Sequence, residues 1–491
     1  MPNGRKSYLT VSPFPVANFS KELKYLVGYP HGCLEQTTSK AFPQIYLRDI
    51  AVLLDPSILE HGSPTYFVNE AITKITGMQA DDGRFSYWPG GSEYNSWATV
   101  YATHFLVEAK KAGYSVPEAT LKSALNAITT IARSKLMEDY YRQVNNKTEI
   151  TRIADKSSVY ALYILALAGQ PELSIMNFYR TAPALLTPDT RYLLAGSFAL
   201  SNDRKTFLEL LPPQFVVEEP RRMSGGWFDS PIRANAIMLN VLLETDPSNP
   251  NIPRYMDYLS KSYEAHYWYS TQDDAFTLLA FGKAARRAGS GKFDGTITMP
   301  GNTQHYSGGN QKYDISAVQG KIGFSLNGEG QVYYSLITEG VRRDGNVRIE
   351  DKNLRVRREF FNRFGAPISL DGVKQNSLLV VKITAATDVD RLDNVAISDL
   401  LPAGFEIENP RLVETTQYKF IQGASTPDYV DIRDDRINYY TNFNGTRQRI
   451  FYYLVRAVSK GEFQYAPITA EAMYDGNYYS GSGRGILKVV E

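Results

Sequence analysis

The period of the apolar residues changes once along this chain, near residue 285, and that change limits the fold more than any other feature. Before it, apolar side chains recur at helical spacing. After Ala285-Arg286-Arg287-Ala288-Gly289-Ser290-Gly291 they alternate, as in Gln331-Val332-Tyr333-Tyr334-Ser335-Leu336-Ile337, which is the pattern of half-buried strands. The expected class is therefore a multidomain α + β protein with its helices first and its strands after. A length of 491 residues leaves room for about three domains.

In the helical part several segments share a cap, an apolar helix and a small-residue exit, which predicts an internal repeat. In one, Ser230 caps, Pro231 takes the first helical position, and Ala234, Ile237, Met238, Val241 and Leu242 share a face before Asp246-Pro247 ends it. A second runs from Ser157-Ser158 through Val159, Leu162, Tyr163, Ala166 and Leu167 to Gly169; Ile164 and Leu165 make its other side apolar, so it is expected to be buried all round. In a third, Trp97, Val100, Tyr101 and Phe105 follow the loop Asp82-Gly83-Arg84-Phe85-Ser86-Tyr87-Trp88-Pro89-Gly90-Gly91, and a fourth follows Tyr267-Trp268-Tyr269-Ser270-Thr271. Trp227 and Trp268 lie 41 residues apart, each shortly before a helix, which fits one helical hairpin per repeat. Such hairpins closed on each other make an α/α toroid. A bundle of unrelated helices is the alternative.

Strands are further expected at Leu378 to Thr384, Val395 to Asp399, Ile437 to Thr441 and Ile450 to Val458, with Asn444-Gly445 marking a hairpin between the last two. The strand region is too long for one small sheet, and the charged stretch Arg342-Arg343-Asp344-Gly345-Asn346 divides it. The extended segment Ser7 to Val16 can add a strand to the nearer β domain, making the toroid an insertion within it. The expected division is 1–16 (extended segment of the nearer β domain), 17–288 (toroid), 289–344 (nearer β domain) and 345–491 (β-sandwich).

Charge excludes some partners. With 53 Lys and Arg against 52 Asp and Glu, the net charge is +1, so no global field gathers nucleic acid or an anionic membrane. The cations Arg342, Arg343, Arg348, Arg355, Arg357 and Arg358 are interleaved with Asp344, Glu350, Asp351 and Glu359, as on a solvated strand face. Met1-Pro2-Asn3-Gly4-Arg5-Lys6 leads into no apolar run of signal-peptide length, and the longest apolar stretch, Val159 to Ala168, is too short for a bilayer. No direct membrane insertion is expected. The single cysteine excludes an internal disulfide and leaves the redox compartment unassigned.

That cysteine stands in Cys33-Leu34-Glu35-Gln36. A cysteine and a glutamine three positions apart can bring Sγ onto the side-chain carbonyl carbon, expel ammonia and close a strained thioester within one turn. A thiolate leaves more readily than an amide nitrogen, so a lysine amine or a hydroxyl can then attack the Gln36 carbonyl, free Cys33 and remain attached. Lone buried cysteines are most often inert packing thiols. Here the four-residue pattern and its flanks favour the reactive reading: Tyr29 can cover the sulfur, Pro30 stiffens the entry, Gly32 permits close backbone approach, and Thr37-Thr38-Ser39 leads into a helix.

Tyr29-Pro30-His31-Gly32-Cys33-Leu34-Glu35-Gln36-Thr37-Thr38-Ser39 closely resembles the thioester motif of bacterial alpha-2-macroglobulins, with Leu34 as the bacterial variant of the residue after Cys. Trp88-Pro89-Gly90-Gly91 with Ser96-Trp97-Ala98-Thr99 resembles the helical thioester domain of that family. Phe451-Tyr452-Tyr453-Leu454-Val455-Arg456-Ala457-Val458, then Glu471-Ala472-Met473-Tyr474, resembles its last macroglobulin-like domain. The resemblance covers essentially the whole chain. It implies an α/α toroid thioester domain followed by a CUB-like β domain and a C-terminal macroglobulin-like β-sandwich.

It also implies a broad-spectrum protease inhibitor, not an enzyme, whose single-use thioester links Cys33 and Gln36 under a shield of Tyr29, Met473 and Tyr474. For Met473-Tyr474 a strand end packing on its own sheet is the competing account. The implied partners are proteases, captured through surface lysines, and a periplasmic cell-wall synthesis protein; the implied place is the periplasm, with an inner-membrane lipoprotein anchor in the full-length protein. In that family the bait region lies before the thioester, in a part this chain does not contain, so the resemblance reads the chain as a C-terminal piece that keeps the warhead without its protease sensor.

Some complement relatives use a histidine to redirect the thioester towards hydroxyls, and His31, His61, His104, His266 and His305 offer no obvious counterpart. His104 lies on the apolar face of its helix and is expected to be a satisfied core histidine. Amine attack is therefore expected. No histidine pair has helix metal-ligand spacing, and Asp273-Asp274 and Asp434-Asp435 are expected to be solvated turn or helix-start charges, so no metal and no cofactor are assigned. Two other classes stay open: an α/α-toroid enzyme with Cys33 as a recycling nucleophile, and a non-covalent scaffold in which the thioester is not formed.

Overall fold

The computed structural model describes residues 6–13, 19–29, 31–47, 62–144, 147–220, 228–265, 268–288, 293–309, 311–329, 332–340, 349–408, 418 and 420–491. They form two compact units, Met1–Arg221 with Asp229–Arg343, and Arg222–Phe228 with Asp344–Glu491.

The first unit is led by helices α1 (Ser20–Gly28), α2 (Leu34–Ala41), α3 (Gln44–Leu47), α4 (Pro64–Gly77), α5 (Ser96–Lys111), α6 (Glu118–Arg133), α7 (Lys156–Leu167), α8 (Leu173–Thr181), α9 (Pro188–Leu200), α10 (Arg204–Leu210), α11 (Pro231–Thr245), α12 (Ile252–Ala265) and α13 (Thr271–Ala288). Six of them close a ring: α2 packs on α5, α5 on α7, α7 on α9, α9 on α11, α11 on α13, and α13 returns to α2. Outside the ring, α4 lies on α2, α6 on α5, α10 on α9, α12 on α11 and α1 on α13. This is the α/α toroid.

Ring helices are buried on nearly every side, as at Lys156 to Ala166 of α7 and Ile232 to Leu243 of α11, whereas outer helices such as α6 carry one apolar stripe. Their starts are locally encoded. Asn95 accepts from the Ala98 N–H at 2.9 Å, Asp155 accepts from Ser157 and Ser158, and Ser230 accepts from the Arg233 N–H at 3.0 Å ahead of Pro231. The ring is tight: a β-carbon at Gly196 of α9 would lie 2.8 Å from Val241 Cγ1 and 2.9 Å from Tyr163 Cε2. Trp227 and His266 lie outside the described residues.

A hairpin of β2 (Met137–Val144) and β3 (Lys147–Ala154) interrupts the helices, a feature sequence reading did not anticipate. Most of β3 is exposed, so no apolar alternation announces it.

The same unit holds two three-stranded sheets, β6 (Gln311–Asp314)-β1 (Lys6–Ser12)-β8 (Tyr333–Glu339) and β5 (Asn302–Tyr306)-β4 (Asp294–Met299)-β7 (Gly323–Asn327). Leu9, Val11, Phe293, Ile297, Tyr306 and Tyr313 form their core. β1 is the central strand of its sheet, running from Lys6 opposite Glu339 to Ser12 opposite Tyr333.

The second unit is a β-sandwich. One sheet has the order β10 (Leu354–Asn362)-β12 (Leu378–Thr387)-β17 (Gln448–Ala457)-β14 (Phe405–Ile407). The other is β15 (Tyr429–Arg433)-β16 (Arg436–Asn444)-β13 (Arg391–Leu400)-β19 (Ile468–Ala472)-β20 (Tyr479–Ser482)-β9 (Glu350–Lys352). Val381 and Val455 of the first meet Val395, Ile397, Ile437 and Ala470 of the second in one core. A small third sheet sets β11 (Asp371–Lys374) parallel to β21 (Gly485–Val490), with β18 (Gly461–Tyr465) on the other side.

The structure departs from two expectations. Asn444-Gly445 makes a turn, with Gly445 at φ +68°, but no hairpin: β16 is flanked by β15 and β13, and β17 by β12 and β14, so the turn carries the chain between sheets. Asn-Gly sets a tight reversal, while the buried faces choose the pairing partner. Arg358 does not belong to a solvated face. Arg355 and Arg357 are exposed and pair with Asp388 and Asp351, but the Arg358 side chain is only 3% exposed and pairs with the fully buried Asp399. Arg342, Arg343 and Arg348 fall outside the described residues.

Candidate functional site

Cys33 is the N-cap of α2 and Gln36 its third residue, and together they make a reciprocal capping box. The Gln36 N–H points at Cys33 Sγ, 3.4 Å away, and the Cys33 N–H donates to Gln36 Oε1 at 3.3 Å. The thiol and the side-chain carbonyl are thus folded onto the same helix end, both buried. Serine, threonine, aspartate or asparagine normally fill this role, so a cysteine cap sacrifices hydrogen-bond strength for a nucleophilic sulfur.

The remaining groups of the first turn are held from elsewhere in the toroid. The Leu34 N–H donates to the Tyr87 carbonyl at 2.9 Å, which ties the start of α2 to the residue just before Trp88-Pro89-Gly90-Gly91. Glu35 points into the ring, where its carboxylate accepts from Ser39 Oγ at 2.5 Å, Gln272 Nε2 at 2.7 Å and Thr271 Oγ1 at 2.9 Å. Thr271 and Gln272 begin α13, and sequence reading assigned them no role. Their signal was the helix start after Tyr269-Ser270, which shows a cap but not what the next side chains touch.

Tyr29 is 8% exposed and meets His31 edge-to-face at 5.1 Å. Leu34 is fully buried. At Gly32 the expected close backbone approach is absent: a β-carbon there would meet no described atom within 4 Å. Pro30 and His61 lie outside the described residues. Met473 and Tyr474 follow β19 in the sandwich unit and are both buried, with the Met473 N–H donating to Asn394 O at 2.9 Å.

His104 is a core histidine. Its Nδ1 lies 2.6 Å from the Tyr160 hydroxyl, and burial pushes its pKa below the ordinary value. Nε2 faces Glu108 at 3.5 Å, too long for a strong hydrogen bond. Burial would raise Glu108, but Lys283, 2.6 Å away, holds it well below the carboxylate range. His305 pairs with Asp294 at the surface. Asp273 and Asp274 do stand in the first turn of a helix, but both are buried, so the expectation of solvated charges fails there: Asp273 accepts from the Ser270 N–H at 3.0 Å and from Ser230, and Asp274 accepts from Tyr263 at 3.0 Å. Among the described residues no group of acidic, histidine or cysteine side chains could hold a metal ion.

The starts of the ring helices converge. Trp97 of α5 reaches Gln272 of α13, Arg233 of α11 stacks on Trp97 at 4.1 Å, and Lys156 of α7 pairs with Asp189 of α9 at 3.0 Å. Buried acids gather beside Lys156. Burial pushes Glu138 and Glu218 up to about 7, with Asp189 adding to the shift of Glu218. A carboxyl raised above its unfolded value near 4.3 keeps a proton in the folded state that the unfolded chain releases, so its contribution to stability is full below that value and is lost as pH rises through 7. The helical unit should therefore melt higher at pH 6 than at pH 8, by about 1 kcal/mol per group. Glu218→Gln should flatten part of that slope in thermal melts; an unchanged slope would rule the group out.

Two family models match: "A-macroglobulin TED domain" over residues 10–168 and "Bacterial Alpha-2-macroglobulin MG10 domain" over 354–477. The first range contains Cys33 and Gln36, the second Met473 and Tyr474. Alpha-2-macroglobulin of Xylella fastidiosa (strain Temecula1) is 26% identical over 494 residues, covering 96% of this chain and 29% of that protein; the Escherichia coli K12 protein is 24% identical, covering 95% and 29%. The chain thus spans under a third of the length of these relatives. Among solved structures, Salmonella alpha-2-macroglobulin reacted with methylamine superimposes with a TM-score of 0.80 at 23% identity over 100% of this chain and 32% of that one. Native Escherichia coli alpha-2-macroglobulin, spanning MG7 to the C-terminus, gives 0.79 at 21% identity over 100% and 78%. Two family models, relatives matched along nearly the whole chain and the toroid-then-sandwich order agree: the chain belongs to the bacterial alpha-2-macroglobulin family.

Proposed function

We propose that this chain is the reactive part of a protease inhibitor that captures its target through a thioester between Cys33 and Gln36. One observation carries the reading: the capping box holds the Cys33 thiol and the Gln36 carbonyl on one buried helix end. Cys33 Sγ attacks Gln36 Cδ, the C–N bond breaks and ammonia leaves. When a lysine amine reaches Cδ, a C–N bond forms, the C–S bond breaks, and the thiolate takes up a proton. The lysine belongs to the attacking protease, which stays attached, and the site is spent after one reaction.

Burial supports the reading, because a thioester survives only where water is kept away. We assign the shield to Tyr29, with Met473 and Tyr474 completing it, and the small two-sheet domain to the CUB-like type. Action in the periplasm, beside a cell-wall synthesis protein, belongs to the same proposal and rests on family likeness.

Intact mass and thiol titration, before and after methylamine, test it. The chain should be one ammonia lighter than its sequence requires and its one thiol hidden; methylamine should add once and release the thiol. A titratable thiol and full mass at the outset would refute the thioester in this chain.

A further inference from the structure

We infer that Gln272 is a positioning residue for the Cys33–Gln36 thioester, acting through Glu35; the inference rests on the thioester reading above. The indole Nε1–H of Trp97 can only donate, and it points at Gln272 Oε1 from 3.1 Å. That fixes which end of the Gln272 amide is oxygen. The NH2 group must then face the other way, where it donates to Glu35 Oε1 at 2.7 Å and lies 3.5 Å from Ser39 Oγ. Ser39 in turn lies 3.2 Å from the Tyr101 hydroxyl, so its own proton is directed to Glu35.

Every group in this chain of bonds is buried: Glu35, Ser39 and Gln272 are fully enclosed, Tyr101 is 1% exposed and Trp97 7%. For holding two helices together, apolar contacts would serve at lower desolvation cost. What polar contacts add is direction. Glu35 sits between Cys33 and Gln36 on a single helical turn, so clamping its carboxylate from α13 fixes the angle at which that turn presents Sγ and Cδ to each other. Misplacements of about 1 Å at reacting centres cost on the order of a hundredfold in rate. Thr271 adds a second grip, with Oγ1 at 2.9 and 3.1 Å from the two carboxylate oxygens.

A charge swap in the full chain tests this. Gln272→Glu keeps an acceptor for Trp97 but sets a carboxylate against Glu35. The fraction of chains carrying a hidden thiol that methylamine releases should fall about tenfold or more. In the double variant Glu35→Gln with Gln272→Glu, the amide and carboxylate exchange places, the hydrogen bond is restored, and the fraction should return to within about threefold of the parent. Thermal melts report folding alongside. A folded Gln272→Glu chain with parental methylamine release would overturn the inference and leave the thioester reading intact. If Gln272→Glu does not fold, the swap decides: recovery supports the positioning role, and a swapped chain without thioester overturns it. A parent chain with no thioester would instead sink both.

Discussion

Cys33→Ser should melt no lower than the parent and take up no methylamine. Serine is the better N-cap, with a stronger acceptor for the Gln36 N–H that now faces sulfur at 3.4 Å. The exchange should be neutral to slightly stabilising, by a few tenths of a kcal/mol up to about 1 kcal/mol. Yet a serine hydroxyl is a far weaker nucleophile than a thiolate, so it should not displace ammonia from Gln36. Gln36→Asn should give the same loss by another route, because removing one methylene withdraws the carbonyl from the sulfur while the cap on Cys33 is mostly kept. Mass spectrometry and melts on both variants separate reactivity from stability. Methylamine uptake by either one would show that the acylating group lies elsewhere.

The second large effect lies in the sandwich. Arg358 crosses its core to Asp399 and also donates to the carbonyls of Ala466 and Gly483, each at 3.0 Å; Asp399 accepts from the Tyr453 hydroxyl at 2.8 Å. Burial raises the Asp399 carboxyl and Arg358 opposes that shift. Arg358→Ala leaves the carboxylate enclosed without its cation, at a cost of about 3–5 kcal/mol. The group would then take up a proton when folded, so the loss should shrink as pH falls towards its raised pKa and be greatest at neutral pH and above. Replacing both residues, Arg358→Met with Asp399→Leu, should recover most of the stability, since a packed apolar pair can match a buried ion pair. Denaturant melts of the three variants decide it. A loss under about 1 kcal/mol for Arg358→Ala would mean that water reaches the pair.

Much of this was legible in the chain. Helix α11 could be read because cap, apolar period and exit agree within it, α7 by its apolar run although its cap is Asp155 ahead of Ser157-Ser158, and the Cys33–Gln36 pair because its spacing serves a reaction confined to one turn. What could not be read depends on partners distant in sequence. The Asn444-Gly445 turn looks the same whether its flanking strands pair or part, and only the sheet order tells them apart. Arg358 and Asp273 carry charges that a local pattern assigns to solvent; each is buried because a matching group more than forty residues away lies against it. Gln272 was invisible for the same reason, since its meaning lies in Trp97 and Glu35. The β2–β3 hairpin went unseen because most of β3 faces water and carries no apolar alternation.

The place of β1 sets an order of assembly. Its seven residues precede the toroid in sequence, yet both of its neighbours, β6 and β8, follow the toroid, some three hundred residues later. No ladder can form on either edge of β1 until the whole helical ring has been synthesised, and pairing at such separation is slow compared with local helix formation. The ring can therefore fold while β1 is still unpaired, and β1 fastens last, as the clasp that joins the chain before the ring to the strands after it. Shortening or deleting β1 should accordingly leave toroid helicity early in folding nearly unchanged, while slowing or abolishing the final step.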